Sequence, residues 1–259
     1  MKPLLCSLLL LFAFSLSAQA PVAVPVANEP HHHLVFENSY VRVFRVSVPA
    51  HDATLLHQHD PPYVYVSLGP ADVVNAVAGK PEARLVMADG QVGYSRGGFA
   101  HVARTDAGSP FNNVTVELLH PQGEPRNICE KIIEGPVKNC GSSGSSTVPA
   151  DSPLRAFVRA TGPKQLFETE EIFVSSHAAP APIEQHYGKS APFAARLLVV
   201  EDNSELRLDL AGEPSKSLHS GEVLWLEAGK KWTIVTPLPH KLTRFLLIRF
   251  KEGDTTKKP

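Results

Sequence analysis

Residues 57–59 read HQH, and residues 90–101 read GQVGYSRGGFAH. On a strand, residues two apart point to the same side, so His57 and His59 would project together. Neutral imidazole is a ligand for divalent transition metals, which makes the pair a candidate half-site. In the second stretch Gly97 and Gly98 can supply the backbone geometry of a tight turn, placing His101 at the start of the next strand. The chain has twelve histidines, so an HxH pair alone carries little weight, and the surrounding pattern has to decide.

Outward from these two stretches the pattern is that of short strands. Val41, Val43, Phe44, Val46 and Val48 nearly alternate with polar residues, as a half-buried strand does. Further runs are expected at 63–68, 72–77, 84–87, 90–94, 101–104 and 113–119. Residues 141–153, GSSGSSTVPADSP, read as a linker. Strand-like runs then resume at 171–175, 195–200, 205–210, 223–226, 232–235 and 244–250. The 23 prolines and 17 glycines suit many turns, and no long helical period interrupts the series. The expected fold class is all-β, with two tandem barrels around a flexible hinge. Residues 48–59, VPAHDATLLHQH, align without a gap on 175–186, SSHAAPAPIEQH, which suggests duplication.

Together the two histidine stretches resemble the paired motifs of the cupin superfamily, G(X)5HXH(X)3–4E(X)6G and G(X)5PXG(X)2H(X)3N. The match rests on His57, His59 and Gly69 in the first motif and on Gly90, Gly98 and His101 in the second. It covers residues 34–120 well and 165–250 more loosely. The resemblance implies two jelly-roll barrels and a divalent metal, whether iron, zinc, manganese or nickel, held by His57, His59 and His101. The sequence departs from the motifs in several places. Tyr63 or Val64 stands where the glutamate is expected, Arg96 replaces the proline, Thr105 replaces the asparagine, and the leading glycine of the first motif is absent. A three-histidine set leaves a coordination position open. Tyr63 and Tyr65 share the parity of His57 and His59, so either phenol could donate a proton or pack the barrel wall. Tyr94 and Arg96 are candidates at the barrel mouth, Arg96 as a fork for a carboxylate.

The second half keeps the pattern and loses the donors. Glu184-Gln185-His186 stands at the first-motif position, and Trp232 stands where the third ligand belongs. Trp offers no lone pair to a metal, so this barrel is expected to be structural or a dimerisation partner, with Trp225 and Trp232 packing.

The expected organisation is a signal peptide at 1–20, an exposed N-terminal arm at 21–33 ending in His31-His32-His33, and a first cupin domain at 34–125. A disulfide loop and linker follow at 126–153, then the degenerate second domain at 154–252 and a polar tail at 253–259. Lys2, the apolar run from Leu4 to Leu16 and Ala18-Gln19-Ala20 have the form of a secretory signal, so the periplasm or the extracellular space is the expected location. Export would leave Cys129 and Cys140 in an oxidising compartment, where they are expected to pair. A net charge of −1 and the lack of a basic stripe argue against nucleic acid, and no segment after the signal is suited to crossing a membrane. The expected partner is a small molecule, with a homodimer as a further expectation. Three functions stay open: a metal-dependent oxygenase, isomerase or hydrolase; a binding module for a small molecule or carbohydrate; or a structural barrel protein.

Overall fold

The computed structural model describes residues 22–106, 108–138, 140, 163–180, 185–187, 193–201, 203–235 and 242–251. The expected signal, the linker, Glu184 and the polar tail lie outside them. The first half contributes β1 (Val24–Pro25), β2 (His32–Glu37), β3 (Val41–Val48), β4 (His57–His59), β5 (Tyr63–Ser67), β6 (Ala71–Val77), β7 (Ala83–Met87), β8 (Val92–Ser95), β9 (Phe99–Arg104), β10 (Phe111–Leu118) and β11 (Gly135–Pro136). The second contributes β12 (Lys164–Glu168), β13 (Ile172–Pro180), β14 (Gln185–Tyr187), β15 (Phe193–Val200), β16 (Glu205–Leu210), β17 (Lys216–His219), β18 (Val223–Leu226), β19 (Trp232–Val235) and β20 (Leu242–Lys251). Among the described residues the helical content is one short 3-10 turn, Val26–Asn28, and no helix is long and apolar enough to cross a membrane.

The halves are built alike. In the first, one sheet runs β11-β8-β5-β10-β3-β2 and the other β1-β4-β9-β6-β7. In the second the orders are β18-β15-β20-β13-β12 and β14-β19-β16-β17. Adding ten to the strands from β2 to β10 reproduces the second barrel, which supports duplication on topology. The ungapped alignment of 48–59 with 175–186 slips by contrast. His57 pairs with His101 across β4 and β9, whereas Trp232 pairs with Tyr187 across β19 and β14.

Strand parity gives the sheet containing β5 two buried faces. Val64 and Val66 of β5, Val114, Val116 and Leu118 of β10, and Val41 and Val43 of β3 face the second barrel. There they pack against Val174, Leu197, Val199, Leu246 and Ile248 in one apolar layer. At its edge Phe36 and Tyr40 meet Trp225, whose ring lies 5.1 Å from that of Phe250. Arg45 donates to the Ser220 carbonyl, and Arg244 is ion-paired to Asp89. The barrels therefore share a core and are not loosely hinged, which corrects that expectation. Burying apolar area on both faces of one sheet favours a fixed interface, since separation would expose the layer to water.

The opposite parity points into the first barrel: Phe44 and Val46 on β3, Tyr63 and Tyr65 on β5, and Asn113, Thr115 and Glu117 on β10. Gly93 on β8 sits directly across from Tyr65. A Cβ there would lie 2.0 Å from the Tyr65 ring, so only glycine lets this phenol lie across β8.

Residues 24–33 are not an arm. β1 pairs in parallel with β4, Val24 lying opposite His57. Val26 is buried in the barrel core, and β2 extends the sheet beside β3. The short β1 strand thus extends the sheet beyond β4 and carries Val26 into the core.

Candidate metal centre

The site forms where β4, β9 and β2 meet. β4 carries His57 and His59 on its inner face, both buried. β9 runs antiparallel beside it and brings His101 opposite His57. The turn before β9 depends on Gly97, with φ +68°, where a Cβ would lie 2.2 Å from the Pro61 carbonyl oxygen. Gly98, with φ +74°, then donates its N–H to the His59 carbonyl at 2.7 Å. The ring centroids of His57 and His101 are 4.4 Å apart, those of His57 and His59 5.1 Å, and those of His59 and His101 5.5 Å.

A fourth imidazole joins them. His32, at the start of β2, is buried and places its ring 4.6 Å from that of His57 and 5.7 Å from that of His59. The candidate ligand atoms of His32, His57 and His59 all lie within 4.8 Å of one another, a group that does not include His101, which meets it through the His57 ring. His32 is therefore not part of an exposed arm, and the reason is physical. Glu29 at the end of the 3-10 turn is itself buried and accepts from the His32 ring at 2.5 Å, which draws the segment inward.

All four rings are held by the same nitrogen. Nδ1 of His32 meets Glu29, that of His57 the Leu55 carbonyl at 2.9 Å, that of His59 Glu117 at 3.2 Å and that of His101 the Asn75 side-chain oxygen at 2.6 Å. Each partner is an acceptor, so Nδ1 donates to it and Nε2 is the nitrogen turned to the cluster. Nε2 of His57 and of His101 is buried with no hydrogen-bond partner among the described residues. Buried polar atoms are seldom left unpaired, and this is the arrangement metal-binding histidines adopt, one nitrogen anchored and the other free. Burial pushes the His57 pKa down to about 4 and that of His101 to about 2. Burial also lowers His32, with Glu29 opposing it in part. These rings are neutral donors at neutral pH. Burial alone would raise the Glu29 carboxyl. Hydrogen bonds from the His32 ring and from the Leu55 and His31 amides hold it below its ordinary value. The donor set fits a divalent transition ion.

The imidazoles open into a cavity of about 380 Å³. Its wall is largely apolar, with Val46, Val73, Leu85, Met87, Phe99 and Phe111, and the Tyr63 and Tyr65 phenols lie along one side. Tyr63 occupies the position of the missing motif glutamate, its ring 4.4 Å from that of His59. Burial raises both phenols above their ordinary value, with the Ser95 hydroxyl partly opposing this at Tyr63. Both are therefore neutral hydrogen-bond donors.

The other expected site residues are placed differently. Tyr94 borders the cavity but is buried, and its ring packs edge-on against Phe167 of the second barrel at 5.6 Å. Burial raises its pKa to about 12. Arg96 does not line the cavity. It is half-exposed, paired with Glu124 at 2.5 Å and with Glu134 at 3.8 Å, so its fork is already occupied by the protein's own carboxylates. Cys129 and Cys140 form a disulfide, closing the loop that carries Glu134, Gly135 and Pro136 onto the cavity wall.

Glu29, His32, Asn75 and Glu117 escaped the sequence reading. Their partners are distant in the chain, as with Glu117 and His59. A local signal existed for one pair, since Glu29 and His32 are three apart and follow an apolar Val-Pro-Val run.

In the second barrel Trp232 is buried among Leu206, Leu208, Leu210 and Ile234. Among the described residues no group of three potential ligands occurs outside the first barrel.

The fold of both halves is the cupin-type β-barrel, repeated in tandem. AerE from Microcystis aeruginosa is similar with a TM-score of 0.57 and 8% identity, over 86% of this chain and 99% of that one. A vicilin from Solanum melongena, described with different anionic ligands in structurally similar pockets, gives 0.53 and 12%, over 83% and 76%. Salicylate 1,2-dioxygenase from Pseudoaminobacter salicylatoxidans, solved with gentisate, gives 0.50 and 10%, over 82% and 69%. No protein-family model and no curated protein matches the sequence.

Proposed function

We propose that this is an exported metalloenzyme whose first barrel holds one divalent metal through His57, His59 and His101 and acts there on a small organic molecule. The observation that carries the reading is the shared anchoring of Nδ1, which leaves unpartnered Nε2 atoms of His57 and His101 buried at one cavity. Iron, zinc, manganese or nickel would suit imidazole donors, and the bound ion would supply Lewis acidity, or redox chemistry if it is iron.

The chain's own residues set the remainder. The apolar wall excludes water and orients the hydrocarbon part of a substrate. Tyr63 and Tyr65 stay protonated and can donate hydrogen bonds to a substrate oxygen. Asn75, Glu117 and the Leu55 carbonyl fix the ring orientations, which keeps the donor geometry rigid. The salicylate dioxygenase shares the barrel fold and supports oxygen chemistry as one of the candidate reactions, alongside isomerisation and hydrolysis. The leader-like segment at 1–20 and the Cys129–Cys140 bridge both favour an oxidising compartment.

The test is anaerobic purification and metal quantification. A single equivalent per chain, lost in His57→Ala with the fold intact by circular dichroism, is expected. Metal-free protein that also takes up none of the four candidate ions would overturn the reading. Binding of a sugar or small acid unchanged by His101→Ala would favour a non-catalytic module instead.

A further inference from the structure

The glutamate of the first motif is absent, and Tyr63 at its position on β5 is a phenol, not a carboxylate. His32 offers a donor from another direction. It approaches from β2, an element outside both motif stretches. Its candidate ligand atom lies within the same 4.8 Å group as those of His57 and His59. Its ring is oriented by Glu29, whose two oxygens are committed within the protein: Oε1 accepts from the Leu55 amide at 3.1 Å, and Oε2 from the His31 amide at 2.9 Å and the His32 ring. A buried carboxylate holding a histidine by Nδ1 is the outer-shell arrangement that raises ligand basicity. Beyond that carboxylate, two further imidazoles face the His32 ring, His57 at 4.6 Å and His59 at 5.7 Å between centroids.

Resting on the metal reading above, we infer that His32, positioned by Glu29, is a fourth imidazole ligand and that the resulting centre binds a small organic monoanion. The second half follows from charge. Four neutral rings leave both charges of the ion in place. Glu117 is offset by Arg42, whose guanidinium lies 3.1 Å from it. Glu29 cancels one charge, so the buried centre keeps a single positive charge. An uncompensated buried charge is costly, and one carboxylate in the cavity neutralises it. The apolar wall selects an anion with a hydrocarbon body.

The experiment loads apoprotein with Cu(II) and counts coordinated imidazoles by pulsed electron paramagnetic resonance, with Zn(II) affinity measured in parallel. Wild type, His32→Ala, Glu29→Gln and His57→Ala are compared. His32→Ala should lose one imidazole and bind Zn(II) at least ~10-fold more weakly, and Glu29→Gln should weaken it by ~10-fold or more with the imidazole count retained. Glu29→Gln keeps the test open should His32→Ala fail to fold. In wild type, benzoate should perturb the Cu(II) spectrum and benzamide, its uncharged counterpart, should not. An unchanged count and affinity in His32→Ala, with metal binding abolished in His57→Ala, overturns the role of His32 and leaves the metal site standing. Equal responses to benzoate and benzamide overturn the charge argument. Failure of wild type to bind either ion overturns the metal reading itself.

Discussion

The two barrels have the same strand order and opposite interiors. β10 turns Asn113, Thr115 and Glu117 inward around a cavity, whereas its counterpart β20 turns Phe245 and Leu247 into a packed core with Leu206, Leu208 and Trp232. Their histidines differ in the same way. His177 is buried in the second barrel and stacked on Phe245, and its Nε2 is satisfied by the Ser175 hydroxyl at 2.9 Å. His57 is as well buried, and its Nε2 has no partner among the described residues. Burial lowers both pKa values to about 4. A depressed histidine pKa therefore does not set His57 apart from the core residue His177; the unpartnered nitrogen does. The comparison also shows what the fold requires. The apolar layer between the barrels is kept on both sides, while the inner face is free to become either a site or a core.

The sharpest expected difference concerns metal. Zn(II) at a hundredfold excess over its dissociation constant should stabilise the wild type by about 2.7 kcal/mol in chemical denaturation and raise its melting temperature. His57→Ala should show no such effect. Trp232→His, which restores a donor type in the second barrel, should add no second equivalent of metal, because one histidine in a filled core is not a site.

Core truncation should separate the barrels next. Leu208→Ala opens a void in a packed interior and should cost about 3 kcal/mol, within the usual range for buried leucines. Val73→Ala enlarges an existing cavity and should cost about 1 kcal/mol, since fewer contacts are lost there. Equal losses measured by urea titration would show that the first barrel is as tightly filled as the second.

The interface supplies a pH test of comparable size. Glu201, buried beside Arg244 and Asp89, has its pKa raised to about 7, chiefly by burial, with Asp89 adding to the rise and Arg244 opposing it. Between its unfolded value near 4.5 and about 7 the folded state holds the proton that the unfolded state has lost. This contribution is present in full below pH 4.5 and is lost as pH rises through 7, on the order of 3 kcal/mol. Glu201→Gln should flatten stability over that interval, and an unchanged slope in the variant would exclude the assignment.

Reduction of Cys129–Cys140 should cost about 2–3 kcal/mol or less for so short a loop. Because the loop reaches the cavity wall through Glu134–Pro136, amide exchange should rise in β11 and β8 and stay unchanged in β16 and β19.

Much of the fold was legible because strand parity is a local property. The run Trp232–Val235 was read with the bounds β19 has, and β5, β6, β7, β10 and β15 fell within two residues of theirs. Short elements held by their neighbours were not legible. β1, β11 and β14 are two or three residues long and exist only through pairing.

By itself the sequence determined the all-β double barrel, the inward pairing of His57 with His59, and the glycine turn that delivers His101, because alternation and turn chemistry act over a few residues. Only the tertiary structure decided that His32 belongs with them, that Arg96 is bound up at the surface, and that the barrels share one core. Each of those outcomes depends on contacts between residues far apart in the chain, where desolvation and charge pairing, rather than local pattern, select the arrangement.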